Sequence, residues 1–105
     1  YPPDNKQLFT HINLIVSEYP PNTSPKKHHF LERNRIISGL SDAVLVIEAS
    51  ERSGTLNTAK HAAEQGKDVF CVPNPINSPN SQGITWLINQ GAKAISNVND
   101  ILVEI

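Results

Sequence analysis

The stretch AVLVIEASERSGTLNTAKHAAEQGKDVFCV, residues 43–72, predicts a strand, a helix and a second strand. Its ends, Ala43–Ile47 and Val69–Val72, are short apolar runs rich in β-branched residues and without polar alternation, which is typical of strands buried on both faces of a parallel sheet. Between them, Thr55–Gln65 has apolar residues at helical spacing, and Gly66 is expected to end that helix. A helix between two buried strands predicts a right-handed crossover and a parallel α/β sheet.

The remaining sequence continues the alternation of strands and helices. Leu14–Ser17 and Lys93–Ile95 predict two further strands. Helical spacing predicts four further helices, at Asp4–Ile12, Leu31–Leu40, Ser81–Gln90 and Asn97–Ile105. The second of these is expected to place Ile36, Ile37 and Leu40 on one face. Two proline-containing loops, Ser17–His29 and Pro73–Asn80, follow strand ends, which is where open α/β sheets bind their ligands.

Length and composition limit the class of protein. The 105 residues, 38% hydrophobic and 18% charged, predict one domain at most, which is neither disordered nor membrane-spanning. The start, YPPDNKQLF, has no basic region followed by an apolar run and therefore predicts no signal peptide. The single cysteine, Cys71, has no disulfide partner, so we expect a reduced thiol in a cytoplasmic protein. The absence of methionine suggests a chain that begins inside a longer natural sequence.

Almost half of the basic residues lie in KKHHFLERNRIISGL, residues 26–40, although the whole chain has nine Lys and Arg against ten Asp and Glu. Cations in the first turns of a helix oppose its dipole, so we expect an anionic partner, either phosphate or an acid such as Glu32 or Glu48. Phe30 among these cations is also typical of a surface that binds single-stranded nucleic acid by charge and stacking. The simpler alternative is a solvated loop in which Phe30 is a hydrophobic staple.

The tripeptide Ser53-Gly54-Thr55 follows a predicted strand and begins a helix. Free backbone N–H groups there could bind an anion, and the simpler alternative is that Ser53 is only an N-cap. No Walker A motif and no G-x-G-x-x-G occurs, which argues against a dinucleotide-dependent dehydrogenase. No metal-ligand spacing and no nucleophile paired with a base is found, so neither a metal site nor hydrolysis is expected. Glu48 and Glu51 are the best acid candidates, and ion pairing with nearby arginines is the favoured interpretation.

Longer motifs carry a family resemblance. FLERNRIISGLSD, residues 30–42, is followed by VLVIEA and SGTLNTA within residues 44–59. Further matching segments are SEYPP at Ser17–Pro21, the opening Tyr1–Pro2, AAEQGKDVFCVP at Ala62–Pro73 and SQGITWLINQGA at Ser81–Ala92. In this order and spacing they resemble the bacterial DNA-processing family DprA, also called Smf. Two positions depart from the family pattern, because Asn74 and Thr85 stand where the family has glycine and asparagine.

The resemblance implies an α/β, Rossmann-like fold with a parallel sheet and flanking helices. The family's G-S-R and G-L-A-x-G-I-D segments, which help to bind DNA phosphate, are missing, so residues 1–105 are expected to be the C-terminal portion of that domain. The resemblance also implies binding of single-stranded DNA and assistance to RecA loading in natural transformation. It implies a homodimer in the full-length protein, neither enzyme activity nor a cofactor, and no membrane association.

The resemblance also implies which residues bind DNA. Lys27 and Phe30 match family positions at the DNA pocket, residues 33–35 match an R-N-R motif, and residues 53–55 match an S-G-[ST] turn. The expected DNA-binding set is Lys27, Phe30, Arg33, Asn34, Arg35, Ser53, Gly54 and Thr55. Which arginine faces the pocket and which fixes Glu48 stays open. Two alternative functions stay open: a nucleoside-phosphate-binding or hydrolysing protein of the lysine-decarboxylase-like type, and a purely structural or dimerisation module.

Overall fold

The computed structural model of the protein describes residues 14–50, 53–79 and 81–105. Helices and strands alternate along these ranges, in the order α1 (Lys27–Gly39), β1 (Ala43–Val46), α2 (Gly54–Glu64), β2 (Asp68–Cys71), α3 (Ser81–Asn89), β3 (Lys93–Ala94) and α4 (Asn99–Leu102). The three strands form one parallel sheet with β2 in the centre. The α/β class predicted from the sequence is therefore confirmed. None of the helices in these ranges is long and apolar enough to cross a membrane.

The register of the sheet places the ends of its strands side by side. Val44 lies opposite Val69, and Leu45 lies opposite Phe70. Beyond the strands, the Val72 N–H donates to the Val46 carbonyl at 3.0 Å, which continues the pairing towards the carboxyl edge. Because α1 leads into β1, and α2 connects β1 with β2, both helices run against the strands. Their N-terminal ends therefore lie at the carboxyl edge of the sheet, where ligands bind in open α/β folds.

The core is formed by the sheet together with α2 and α3. Its buried cluster contains Val46, Ala49, Leu56, Ala59, Cys71, Ile84 and Leu87. Small side chains on α2 allow this helix to approach the sheet closely. Gly66 has φ +75°, a conformation that favours glycine, and it follows the end of α2 as the sequence predicted. Burial also raises the pKa of the Cys71 thiol, which agrees with an unreactive core cysteine.

Three elements predicted near the ends of the chain were not found as predicted within the described residues. The predicted strand Leu14–Ser17 is wrong, because these residues form no strand and Leu14, Ile15 and Val16 are 77%, 58% and 59% exposed. Composition indicates only a tendency to form a strand, whereas a strand also requires a neighbour with which to pair. The predicted helix Asp4–Ile12 lies outside the described residues. The predicted helix Asn97–Ile105 is reduced to the short α4.

Helix α1 differs from its prediction in both extent and packing. It begins at Lys27, four residues before the predicted start, so Lys27 of the predicted loop belongs to the helix and Lys26 is its N-cap. The predicted apolar face is not its buried face, because Ile37 is 44% exposed and Leu40 is 75% exposed. Its buried residues are Asn34 and Ser38. Both side chains donate hydrogen bonds to α2 or to its C-cap, Asn34 to the Gly54 carbonyl and Asn57 Oδ1, and Ser38 to Gln65 Oε1.

Candidate functional site

The N-terminal end of α1 is strongly basic. Lys26 is the N-cap in extended conformation, its side chain makes no capping hydrogen bond, and the first turn contains no acidic residue. Lys27 and His28 lie in that first turn and are exposed. The partial positive charge of a helix N-terminus is thus increased by the side chains around it. This end of the helix is suited to an anion such as phosphate.

Phe30 lies one turn further along and is 50% exposed. The guanidinium carbon of Arg33 is 5.7 Å from the centroid of the Phe30 ring, within the range of a cation–π contact. Lys27, Phe30 and Arg33 follow one another at intervals of three residues, so they lie along the same side of the helix. We call these three residues the ligand stripe. It presents two cations and a half-exposed aromatic ring in a row.

Asn34 connects α1 with the beginning of α2. It is 5% exposed, and its Nδ2 donates to the Gly54 carbonyl at 3.3 Å and to Asn57 Oδ1 at 3.2 Å. Its Oδ1 accepts a hydrogen bond from Arg33 Nη2 at 3.3 Å. The structure therefore brings the R-N-R motif into contact with the Ser53-Gly54-Thr55 turn. In the sequence, only the family resemblance assigned this motif and this turn to one site. Asn57 is an additional member that the sequence analysis missed.

The Ser53-Gly54-Thr55 turn begins α2, as predicted. Ser53 is the N-cap, but its side chain makes no capping hydrogen bond, and its buried Oγ has no hydrogen-bond partner among the residues that the structure describes. Gly54 and Thr55 are exposed. The turn lies at the carboxyl edge of the sheet, as does the N-terminal end of α1. The Ser53 N–H already donates to the Ser50 carbonyl at 3.3 Å, so the N–H groups that the turn presents on the same side of the molecule as the ligand stripe are those of Gly54 and Thr55.

A second row of contacts joins α1 to the segment that precedes it. Arg35 forms an ion pair with Glu18, and the Tyr19 hydroxyl donates a hydrogen bond to Glu32. The Tyr19 and His29 rings are stacked, with centroids 4.2 Å apart. The hydrogen bond with Glu32 raises the pKa of Tyr19 to about 12 and lowers the pKa of the Glu32 carboxyl.

Glu18 and Tyr19 were not among the predicted site residues, although both belong to the S-E-Y-P-P segment of the family resemblance. Their place in that segment was the only sign in the sequence that linked Glu18 and Tyr19 to the candidate site. Arg35 pairs with Glu18, so one of the two arginines that the sequence left open has a partner in this upstream segment.

A groove of about 480 Å³ between α2 and α3 lies away from this surface. Lys60, Lys67 and Trp86 line it, and Lys60 Nζ is 5.4 Å from the Trp86 ring centroid. Gly66 and Gly91, which follow the ends of α2 and α3, also line it, so the groove is at the amino edge of the sheet. Helix C-termini have partial negative charge, which disfavours phosphate there. We therefore do not include the groove in the candidate site.

Together, the parallel sheet and the cationic, aromatic surface at its carboxyl edge define an α/β protein suited to a ligand that contains phosphate groups and planar bases. Comparison with known proteins agrees, because the family model described as DNA recombination-mediator protein A matches residues 1–105. The chain belongs to this family, which confirms the resemblance to DprA and Smf proteins.

No group of three His, Cys, Asp or Glu side chains that could hold a metal ion occurs within residues 14–50, 53–79 and 81–105.

Several relatives support this membership. The chain is 49% identical over 108 residues to DNA processing protein DprA of Bacillus subtilis, with 100% of this chain and 36% of that protein covered. The X-ray structure of DprA from Streptococcus pneumoniae superimposes with a TM-score of 0.88 at 45% identity, covering 100% of this chain and 38% of that one. The chain thus spans little more than a third of the length of these relatives.

A second solved structure comes from Helicobacter pylori. It superimposes with a TM-score of 0.82 at 33% identity and covers 99% of this chain and 49% of that one. That structure was reported for insights into the single-stranded DNA binding mode of the Helicobacter DNA processing protein A.

Proposed function

We propose that the ligand stripe and the Ser53-Gly54-Thr55 turn form part of a surface that binds single-stranded DNA. The observation that carries the proposal is the half-exposed Phe30 ring, which lies beneath the Arg33 guanidinium one turn after Lys27. Single-stranded nucleic acid is bound by cations that follow the backbone and by aromatic rings on which bases stack. The single-stranded DNA binding mode reported for the Helicobacter pylori relative supports the same ligand class.

Of the eight residues expected from the sequence, six form the ligand stripe and the turn, and the other two, Asn34 and Arg35, lie beside them on α1. Lys27 supplies charge, Phe30 supplies a stacking surface, and the turn supplies the backbone N–H groups of Gly54 and Thr55. Asn34 is buried, so its role is to hold the turn and Arg33 in place rather than to meet DNA. The chain spans only part of its relatives, so we propose that the full-length protein adds further phosphate contacts to this surface.

We also propose the wider role that family membership supports. The full-length protein would act in the cytoplasm as a recombination mediator that assists the loading of RecA on single-stranded DNA during natural transformation, and it would do so as a homodimer. The description of the family as a recombination mediator supports the role. Measuring RecA filament formation on oligo-dT, with and without the full-length protein, tests the mediator activity directly.

Replacing Lys27 by alanine in the full-length protein should weaken binding of all single-stranded sequences to a similar extent. A lysine that neutralises one phosphate adds about −0.7 to the slope of log K against log salt concentration, so the slope should become shallower by about 0.7. Titration of fluorescent oligo-dT and a mixed sequence at several salt concentrations measures this change. Lys67→Ala, at the groove near the amino edge, is the matched control and should leave the slope unchanged. Equal slopes for Lys27→Ala and wild type contradict a phosphate contact.

We propose a binding role and not an enzymatic one. The alternative, a protein that binds or hydrolyses nucleoside phosphates, lacks its P-G-G-x-G-T-x-x-E signature in this sequence. We expect no release of base or phosphate when the full-length protein is incubated with a panel of nucleoside monophosphates and with labelled oligo-dT. Glu48→Gln is the control, because it removes the best acid candidate. Product release by the wild type that disappears in Glu48→Gln would establish the alternative instead.

A further inference from the structure

The three residues of the R-N-R motif point in three directions. Successive residues of an α-helix are separated by about 100° around its axis. Arg33 lies over the Phe30 ring, Asn34 is buried against α2, and Arg35 is paired with Glu18. The two arginines that flank Asn34 therefore face different partners.

Arg35 belongs to a second stripe on α1, formed with His29 and Glu32 at intervals of three residues. Each member contacts the preceding segment, residues 17–25. His29 stacks on Tyr19, Glu32 accepts the Tyr19 hydroxyl hydrogen bond, and Arg35 pairs with Glu18. We call these three residues the anchor stripe. It is offset around the helix from the ligand stripe, so the two stripes serve different partners.

The anchored segment has a defined conformation of its own. The Thr23 N–H donates to the Pro20 carbonyl at 3.2 Å, and Thr23 Oγ1 donates to the same oxygen at 2.6 Å. Asn22 has φ +68°, a turn conformation that asparagine tolerates better than most residues. This segment leads directly into Lys26 and Lys27, so its attachment to α1 determines how the chain enters the basic first turn.

We infer that the two arginines have separate roles: Arg33 contributes charge to the DNA surface, whereas Arg35 is a positioning residue that holds segment 17–25 through Glu18. The inference rests on the proposed DNA-binding function and assigns its residues. Because the Glu18 carboxylate neutralises Arg35, Arg35 adds little net attraction for phosphate. Arg33 instead lies in the ligand stripe beside the ring proposed to stack on a base.

Salt-dependent binding of oligo-dT by the full-length protein distinguishes the two roles. Arg33→Gln should lower affinity and make the salt slope shallower by about 0.7. Arg35→Gln should lower affinity by about two- to fivefold, the range that corresponds to loss of one exposed ion pair, without a change in slope. A shallower slope for Arg35→Gln together with an unchanged slope for Arg33→Gln overturns the assignment.

Glu18→Gln gives opposite results under the two interpretations. If Arg35 holds the segment, removing Glu18 should weaken binding as much as Arg35→Gln does, and the double variant should be no weaker than either single variant. If Arg35 contacts phosphate directly, removing Glu18 should release it for DNA and strengthen binding. Stronger binding by Glu18→Gln, or additive losses in the double variant, therefore overturns the positioning role.

Hydrogen exchange of the DNA-free protein tests the anchor independently of binding. Arg35→Gln and Glu18→Gln should each accelerate exchange of amides in residues 17–25, whereas Arg33→Gln should leave them unchanged. Unchanged exchange in the first two variants overturns the anchoring role. A wild-type protein that binds no oligo-dT refutes the proposed function and the role of Arg33, while the exchange measurement still decides the role of Arg35.

Discussion

Replacing Phe30 by alanine in the full-length protein should weaken binding of single-stranded DNA by about 1–3 kcal/mol, which is about 5- to 150-fold in affinity. A base that stacks on the ring loses its contact surface, and Arg33 loses the ring beneath its guanidinium. The salt slope should stay nearly unchanged, because no charge is removed. Titration of oligo-dT at several salt concentrations measures both quantities.

The alternative explanation of Phe30 is purely structural, as a staple that holds the start of α1. Leu31→Ala is the matched control, because Leu31 is the next residue and is similarly exposed, at 48% compared with 50%. We expect Leu31→Ala to bind normally. Melting temperatures of both variants separate the explanations. A Phe30→Ala protein that melts several degrees lower, yet binds oligo-dT with wild-type affinity while folded, contradicts the stacking role.

Gly83→Ala should destabilise the fold by about 3 kcal/mol, at the upper end of the range for overpacking. A Cβ at this position would lie 2.2 Å from the Ala49 carbonyl oxygen and 2.7 Å from its carbonyl carbon. Both are backbone atoms, so no rotation of a side chain can relieve the clash. The Gly83 N–H also donates to the same Ala49 oxygen at 3.0 Å. Helix α3 would have to move away and would lose this hydrogen bond and part of its core packing.

Chemical denaturation, followed by circular dichroism, measures this loss. The matched control is Gly39→Ala at the end of α1, where a Cβ would meet only the side chain of Gln65, at 3.5 Å. That distance is an ordinary contact, so we expect Gly39→Ala to be neutral or slightly stabilising, because alanine restricts the unfolded chain. A free energy of unfolding for Gly83→Ala within error of wild type would show that α3 does not pack against Ala49 as described.

Local signals in the sequence predicted the elements β1, α2 and β2. The strands β1 and β2 were predicted from apolar β-branched runs, and α2 from small residues at helical spacing that end at Gly66. These signals are local, because each depends on residues within one strand or within a few helical turns. The family resemblance also came from the sequence alone, since its motifs occur in fixed order along the chain. It also predicted Lys27 and Phe30 as DNA-binding residues, and the substitutions proposed above test that prediction.

Only the tertiary structure decided which faces of α1 are used. Its apolar residues suggested a buried face of Ile36, Ile37 and Leu40, but the buried positions are Asn34 and Ser38. Asn34 forms hydrogen bonds with α2, and Ser38 forms one with the C-cap of α2, Gln65. The strand predicted at residues 14–17 failed for a related reason, since an apolar run indicates a strand but does not provide the neighbour that it needs.

The different contacts of Arg33 and Arg35 could likewise not be predicted from the motif, because both are arginines that flank one asparagine. It depends on Glu18, seventeen residues upstream of Arg35, and on Gly54, twenty residues downstream of Asn34. Contacts across such distances are fixed by how the helices pack on one another and on the sheet, and not by the local spacing of residue types. The close approach of Gly83 to Ala49 has the same origin. In the sequence, a glycine within a helical pattern shows only that a side chain is missing. The backbone at Ala49, which leaves no room for a side chain at Gly83, comes next to it only in the folded chain.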